Sequence, residues 1–104
     1  MRVLEVGPKP GRVWELEVSG LLSRWRLVAR LLRIPDVRIV DRPGAFSWLR
    51  EGVFCVFEYQ GRRFVAEKFE GDAFQIRPER RGCIPELQAL GMQLIARSAL
   101  RYAT

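Results

Sequence analysis

Three arginines at helical spacing are the residues of this sequence best suited to binding chemistry. Arg26, Arg30 and Arg33 follow one another at i, i+4 and i+7, so a helix places them in line along one side. The guanidinium group stays charged, and its planar fork of donors fits phosphate oxygens. Residues 20–34 include four arginines and no acidic residue. The sequence therefore predicts a cationic helix face, which either binds phosphate or is simply solvated.

A second cationic group lies near the C-terminus, where residues 80–104 carry four basic side chains and one acidic one. Nucleic-acid binding needs a contiguous cationic surface and, for single strands, exposed aromatic rings on which bases stack. The candidate stacking residues are Phe46, Trp48 and Tyr59. The candidate nucleic-acid-binding residues are Arg26, Arg30, Arg33, Arg80, Arg81, Arg97 and Arg101. The last two also suit the negative end of a helix dipole without any ligand.

The composition excludes several kinds of active site. The chain has no histidine, which removes histidine-dependent catalysis and the commonest metal ligand. Its two cysteines, Cys55 and Cys83, are too few for a four-ligand zinc site or a disulfide framework. The sequence contains neither a nucleophile elbow nor a phosphate-binding glycine loop. We therefore expect no catalytic residue, no metal and no cofactor, and we favour a protein that is not an enzyme.

A hairpin in the middle of the chain positions many of the remaining residues. The run 52–59 is almost wholly apolar, β-branched or aromatic, which is typical of a strand. Gln60 and Gly61 then favour a tight turn, because the glycine supplies the positive φ that a two-residue connection needs. The predicted register pairs Phe57 with Phe64, Cys55 with Ala66 and Glu58 with Arg63.

A third strand over 73–77 follows the turn signal at 70–72. The hydrophobic pattern favours the register that sends Phe74 and Ile76 to the core, since a slip of one residue would reverse every side chain. The predicted core face also carries Val53, Cys55, Phe57, Tyr59, Phe64 and Ala66.

Outside this meander, the pattern predicts strands over 2–6, 12–18 and 37–40 and one or two helical turns over 45–50. A helix is predicted from Gly20 to about residue 33, with Ser19 as its N-cap and with Leu21, Leu22, Trp25, Val28, Ala29 and Leu32 as its apolar face. A second helix is predicted from Pro85 to about Tyr102, with a buried face of Leu87, Leu90, Leu94 and Ile95.

The resulting order is β-β-α-β-β-β-β-α, which predicts an α+β fold with a single antiparallel-dominated sheet and two helices packed on one face. Such an order in a basic chain of this length is similar to the small bacterial toxins that cleave messenger RNA, which can act without histidine. That resemblance implies a ribonuclease in which Arg62, Arg63, Lys68 and Arg77 hold phosphate and stabilise charge in the transition state. It rests on element order and not on a motif.

The interpretation that we favour is a protein-interaction or adaptor module, with nucleic-acid binding second and the ribonuclease third. The face of the meander opposite the core is only half polar. Such a patch marks a surface that binds a foreign partner or a second copy, unless another part of the chain covers it. The candidate interaction patch consists of Phe54, Val56, Val65, Phe46 and Trp48.

The length of 104 residues predicts one domain spanning 1–104. No apolar run approaches the roughly 20 residues that a membrane span needs, and the N-terminal residues do not form an export signal. Arginine outnumbers lysine 16 to 2 and the net charge is +6, a balance that coding bias explains as well as phosphate binding. We expect a small, basic, cytoplasmic domain with no membrane contact.

Overall fold

The computed structural model describes residues 1–9, 11–21, 23–41, 53–69, 71–80 and 82–103. The α+β class and the order of strands and helices are as predicted. The helical turns predicted over 45–50 lie outside the described residues. The elements are β1 (Arg2–Val6), β2 (Glu15–Ser19), α1 (Arg24–Leu32), β3 (Val37–Asp41), β4 (Val53–Tyr59), β5 (Arg62–Lys68), β6 (Phe74–Pro78) and α2 (Pro85–Ala103).

A six-stranded sheet in the order β1-β2-β6-β5-β4-β3 contains all of the described strands. Every pair of neighbours is antiparallel. Strands β3 to β6 form a continuous meander, whereas the N-terminal hairpin joins its far side through β2 and β6. In the described sheet, β1 and β3 are therefore the edge strands.

The β4–β5 hairpin has the predicted register from Cys55 to the turn. A shift in register between Val53 and Cys55 pairs Val53 with Glu67, so the prediction that Val53 shares the core face with Cys55 was wrong. Phe57 pairs with Phe64, and their rings stack with centroids 5.6 Å apart. Gln60 and Gly61 both have positive φ, 53° and 78°, which is the signature of the two-residue type I′ turn that matches the twist of the strands. The other predicted pairs, Cys55 with Ala66 and Glu58 with Arg63, are also present.

Both helices pack on the same face of the sheet. Leu27 and Leu31 of α1 and Leu87 and Leu90 of α2 are fully buried and belong to one hydrophobic cluster with the inward-facing strand residues. Each such leucine contributes roughly 1.5–3 kcal/mol by leaving water, so the two helices are held mainly by apolar burial. The strand members of the cluster are Leu16, Val18, Cys55, Phe57, Tyr59, Phe64, Ala66, Phe74 and Ile76.

Helix α1 begins later than predicted, at Arg24. Its N-cap is Ser23, whose hydroxyl accepts a hydrogen bond from the Arg26 N–H at 3.4 Å. The prediction of Ser19 as the N-cap was wrong, because Ser19 ends β2, where it pairs with Arg2. Gly20 then turns the chain with a φ of 84°, a conformation that glycine adopts without steric cost.

The buried face of α1 also differs from the predicted one. Leu27, Val28 and Leu31 are buried, whereas Trp25 and Leu32 are each 56% exposed. Because successive residues are about 100° apart around the axis, the true face is rotated by about a third of a turn. Of the other predicted positions, Leu21 is buried just before the helix, Ala29 is exposed and Leu22 lies outside the described residues.

Helix α2 begins at Pro85 as predicted, and its three predicted leucines are buried. The fourth predicted position was wrong, since Ile95 is 49% exposed. Gly91 occupies the inward position instead, where an added Cβ would lie 3.1 Å from Leu16 Cδ2. The missing side chain therefore lets α2 approach β2 closely.

Candidate functional site

The three arginines predicted on one helix face line one surface depression. Arg26 and Arg33 are exposed and Arg30 is half-buried. Together with Leu21 and Ala29 they enclose a groove of about 230 Å³, which we call the α1 groove. The helix positions the arginines because Leu27, Val28 and Leu31 pack into the core, which leaves the arginines on the solvent side of α1.

Two of the three arginines of the α1 groove have no salt bridge to a described residue. In the part of the chain that the structure describes, neither Arg26 nor Arg33 forms a salt bridge. The first turn of α1 contains no acidic residue. An anion that enters the groove would therefore meet two guanidinium groups, those of Arg26 and Arg33, that no described carboxylate neutralises.

An apolar stripe runs beside the arginines of the α1 groove. Trp25 and Leu32 are each 56% exposed, and with Ala29 they occupy neighbouring positions around the helix. The guanidinium carbon of Arg24 lies 5.8 Å from the centre of the Trp25 ring, a cation–π contact. Sequence reasoning missed this surface because it assigned these apolar residues to the core. The competing apolar frame, Leu27, Leu31 and Ile34, was the signal that could have found it.

Arg80 is the other predicted nucleic-acid-binding residue whose side chain the structure describes, and it does not join the α1 groove. Arg80 lies in a separate cleft of about 280 Å³ at the β4–β5 turn, which shares no lining residue with the α1 groove. Arg62 and Arg63 line that second cleft together with Glu79, so a carboxylate offsets part of its charge. Arg81 lies outside the described residues, and Arg97 and Arg101 belong to α2, where their side chains are not described.

One candidate stacking residue is ruled out by its position. Tyr59 is only 3% exposed and belongs to the core, so no base can stack on its ring. Burial and, secondarily, the charge of Asp36 raise the pKa of Tyr59 above its ordinary value of 10.0. The other two candidates, Phe46 and Trp48, lie outside the described residues.

The structure does not bring together the four cations of the ribonuclease alternative. Arg62 and Lys68 stand at the two ends of β5, a separation of about 20 Å at the rise of a strand. Arg77 donates from Nε to Glu67 Oε1 at 2.9 Å. Arg63 lies 3.7 Å from Glu58, in the cross-strand pair predicted from the register. Arg62 lies 3.7 Å from Glu86. These cations are therefore dispersed, and three of the four, Arg62, Arg63 and Arg77, are paired with carboxylates.

The sheet face opposite the helices holds the candidate interaction patch. Val65 is 6% exposed and Val56 is half-buried, so both offer a partner little area. The more exposed apolar residues outside the helices include Leu4 and Val40 of the edge strands, Trp14, and Phe69 directly after β5, at 57%, 39%, 47% and 41%. Phe46 and Trp48 lie outside the described residues, as does the side chain of Phe54.

Trp14 lines a cleft of about 290 Å³ with Glu15, Arg77 and Gly82. The polar groups around this cleft hold one another in place, since Gln75 donates from Nε2 to Glu15 Oε2 at 3.1 Å. Arg77 is fixed by its bond to a carboxylate of β5. The cleft therefore combines an exposed indole with charges that are already paired.

The described residues contain neither a candidate metal site nor a candidate membrane span. No group of three or more cysteine, aspartate or glutamate side chains is placed to hold a metal ion there. Among those residues, too, no helix has the length and hydropathy of a membrane span.

Comparison with known proteins assigns the chain to no family. No protein-family model, no curated protein and no solved structure matches it.

Proposed function

We propose that this protein binds nucleic acid without cleaving it, and that the α1 groove is the binding surface. The observation that supports the proposal is the convergence of Arg26, Arg30 and Arg33 on one groove. A cytoplasmic location, where nucleic acid is available, is part of the proposal.

The physical basis of the proposal is counterion release. A cation that contacts a phosphate displaces condensed counterions, so binding weakens as the salt concentration rises. Each phosphate neutralised contributes about 0.7 to the slope of log affinity against log salt for a single strand and about 0.9 for a duplex. Three arginines in one groove therefore supply a slope of about 2 to 3.

The test compares two triple variants that remove the same number of positive charges. The variant Arg26→Gln/Arg30→Gln/Arg33→Gln removes the positive charge of the α1 groove. The variant Arg62→Gln/Arg63→Gln/Arg80→Gln removes three positive charges from the cleft at the β4–β5 turn. Binding to a labelled oligonucleotide of mixed sequence, single-stranded and as a duplex, is measured by fluorescence anisotropy over a salt series.

We expect the α1 variant to lose affinity by about tenfold or more and to flatten the salt dependence by about 2. The matched variant at the β4–β5 turn should retain most of the affinity and most of the salt dependence. An equal loss in the two variants would mean that net charge alone is responsible, and full retention in the α1 variant would contradict the proposal.

A second proposal is that the sheet face opposite the helices, which we call the open sheet face, acts as a protein-interaction or adaptor surface. It is supported by the exposed indole of Trp14, which stands at 47% exposure over a cleft. The partner is either another protein or a second copy of this chain. Light scattering at rising concentration tests self-association, and a pull-down with and without nuclease separates protein partners from nucleic acid. A variant Trp14→Gln should lose a partner bound here and keep binding at the α1 groove.

A further inference from the structure

The exposed indole on α1 is unusual for its position. Tryptophan is highly buried in most folded proteins, yet Trp25 is 56% exposed in the first turn of the helix. Leu32 has the same exposure and lies about 10 Å further along the same side of the helix, given the rise of about 1.5 Å per residue. The apolar stripe therefore runs parallel to the three arginines and not across them.

The ring of Trp25 has surface available to a planar partner. The Arg24 guanidinium lies over it, 5.8 Å from its centre. The side chain is still 56% exposed beside this contact, and an aromatic ring can stack on a second flat group. The positive potential of the α1 groove beside it selects an anionic ligand.

A single-stranded nucleic acid has both of these chemical features along one chain. Its phosphates suit Arg26, Arg30 and Arg33, and its unstacked bases present faces to an aromatic ring. In a duplex the base faces are stacked on one another, so an indole could reach base edges, sugar and phosphate but could not stack on a base face. A ring that stacks on bases would therefore favour the single strand.

We infer that the protein binds single strands in preference to duplexes, with a base stacked on Trp25 while the α1 groove holds the adjacent phosphates. This inference rests on the proposed function, because it assigns the ligand class to the same surface. It adds Trp25, which sequence reasoning had placed in the core, as a contact that does not depend on base identity.

The experiment measures the affinity of wild type, Trp25→Ala and Trp25→Phe for a labelled oligothymidylate and for a mixed-sequence duplex of equal length. Trp14→Ala, which removes the exposed indole of the opposite sheet face, is the matched control. Circular dichroism establishes that each variant is folded, as expected for changes at exposed positions. A variant Trp14→Phe/Trp48→Phe leaves Trp25 as the only tryptophan, so its fluorescence reports stacking directly.

We expect Trp25→Ala to weaken single-strand binding by about 5- to 150-fold, the contribution of one stacked base, and to leave duplex binding unchanged. Trp25→Phe should retain most of the affinity, since any aromatic face supports stacking. Oligothymidylate should quench the fluorescence of the variant that keeps Trp25 alone.

The outcomes separate this inference from the function on which it rests. If wild type binds both nucleic acids equally and Trp25→Ala changes neither, stacking is disproved while phosphate binding by the arginines stands. If wild type binds neither at low salt, both are disproved. If Trp25→Ala abolishes binding to vesicles of phosphatidylserine and leaves single-strand binding intact, the stripe belongs to a membrane contact and the inference is overturned.

Discussion

The arginines of the sheet and the arginines of α1 have opposite surroundings. On the open sheet face, Arg38 and Arg63 share Glu58, with nitrogen to oxygen distances of 2.7 and 3.7 Å, and Arg77 lies 2.9 Å from Glu67. On α1, the part of the chain with described coordinates offers the two exposed arginines of the groove no salt bridge.

The difference follows from how strands and helices bring charges together. Antiparallel pairing sets Glu58 opposite both Arg38 and Arg63, and side chains at such paired positions are close enough to interact. A helix draws its nearest charged neighbours from its own sequence, at i+3 and i+4. Since residues 20–34 contain no acidic residue, the helix itself supplies no carboxylate to the exposed Arg26 and Arg33. The sheet cations therefore serve stability, and we propose that the helix cations serve binding.

Reversing the charge on α1 should have the largest effect. Arg26→Glu/Arg33→Glu places two carboxylates at the rim of the α1 groove, where they repel phosphate. We expect about 100-fold or greater loss of oligonucleotide affinity at low salt, with little change in thermal stability because both side chains are exposed. Fluorescence anisotropy and thermal melts measure the two quantities. A variant that unfolds, or that binds as tightly as wild type, would remove the contrast between the two sets of arginines.

Removing a partly buried sheet cation should lower stability and leave oligonucleotide affinity unchanged. The side chains of Arg77 and Glu67 are 18% and 17% exposed, so Arg77→Gln leaves a carboxylate with poor access to water. We expect the free energy of unfolding to fall by about 1–3 kcal/mol, measured by urea titration, while oligonucleotide affinity is retained. Lys68→Gln, at an exposed position of β5, is the control and should change stability by less than about 0.5 kcal/mol.

Alkaline pH separates the contribution of Tyr59 to stability from those of the arginines. Arginine stays charged up to a pH of about 12, both in the sheet and on α1. Tyr59 has a pKa above 10.0 in the folded protein, through burial and then through Asp36. Its contribution to stability is present below pH 10 and is lost as the pH rises from there, since the unfolded chain loses the phenolic proton first. We expect this loss to reach at most about 1.4 kcal/mol per pH unit. Urea titrations of wild type and Tyr59→Phe should differ in this slope, and identical slopes would contradict the assignment.

The exposed sheet cation should give the smallest effect. The Arg38 side chain is 72% exposed, so its ion pair is screened by water and salt. We expect Arg38→Gln to reduce the free energy of unfolding by about 0.2–1 kcal/mol at low salt, and by less at high salt. A loss as large as that of Arg77→Gln would show that exposure does not govern the value of these pairs.

Features of the fold that depend on residues close together in the chain were predicted from the sequence. The turn at Gln60 and Gly61 and the alternation on either side of it were enough to give the register of β4 and β5, because the two strands are adjacent in the chain. The end of β2 at Ser19 was not predicted, because the pairing of that residue with Arg2 competes with helix capping.

The candidate site was predicted only in part. The alignment of Arg26, Arg30 and Arg33 was predicted because it depends only on their spacing along a helix. The exposure of Trp25 was not predicted. Two apolar frames share Val28, and only the packing of the helix against the sheet decides between them. The pairing of Gln75 with Glu15 joins distant parts of the chain and leaves no mark in the local pattern.

Strand β2 finds its second neighbour in β6, where Leu16 lies opposite Ile76, so the ribosome makes the N-terminal hairpin long before the surface on which it docks. Contacts between such distant segments form slowly. The apolar side of the nascent hairpin is therefore uncovered until the meander has emerged, and α2, which packs against β1 and β2, is made after the meander. Folding during translation would consequently begin in the meander and be completed when the N-terminal hairpin and α2 pack against it.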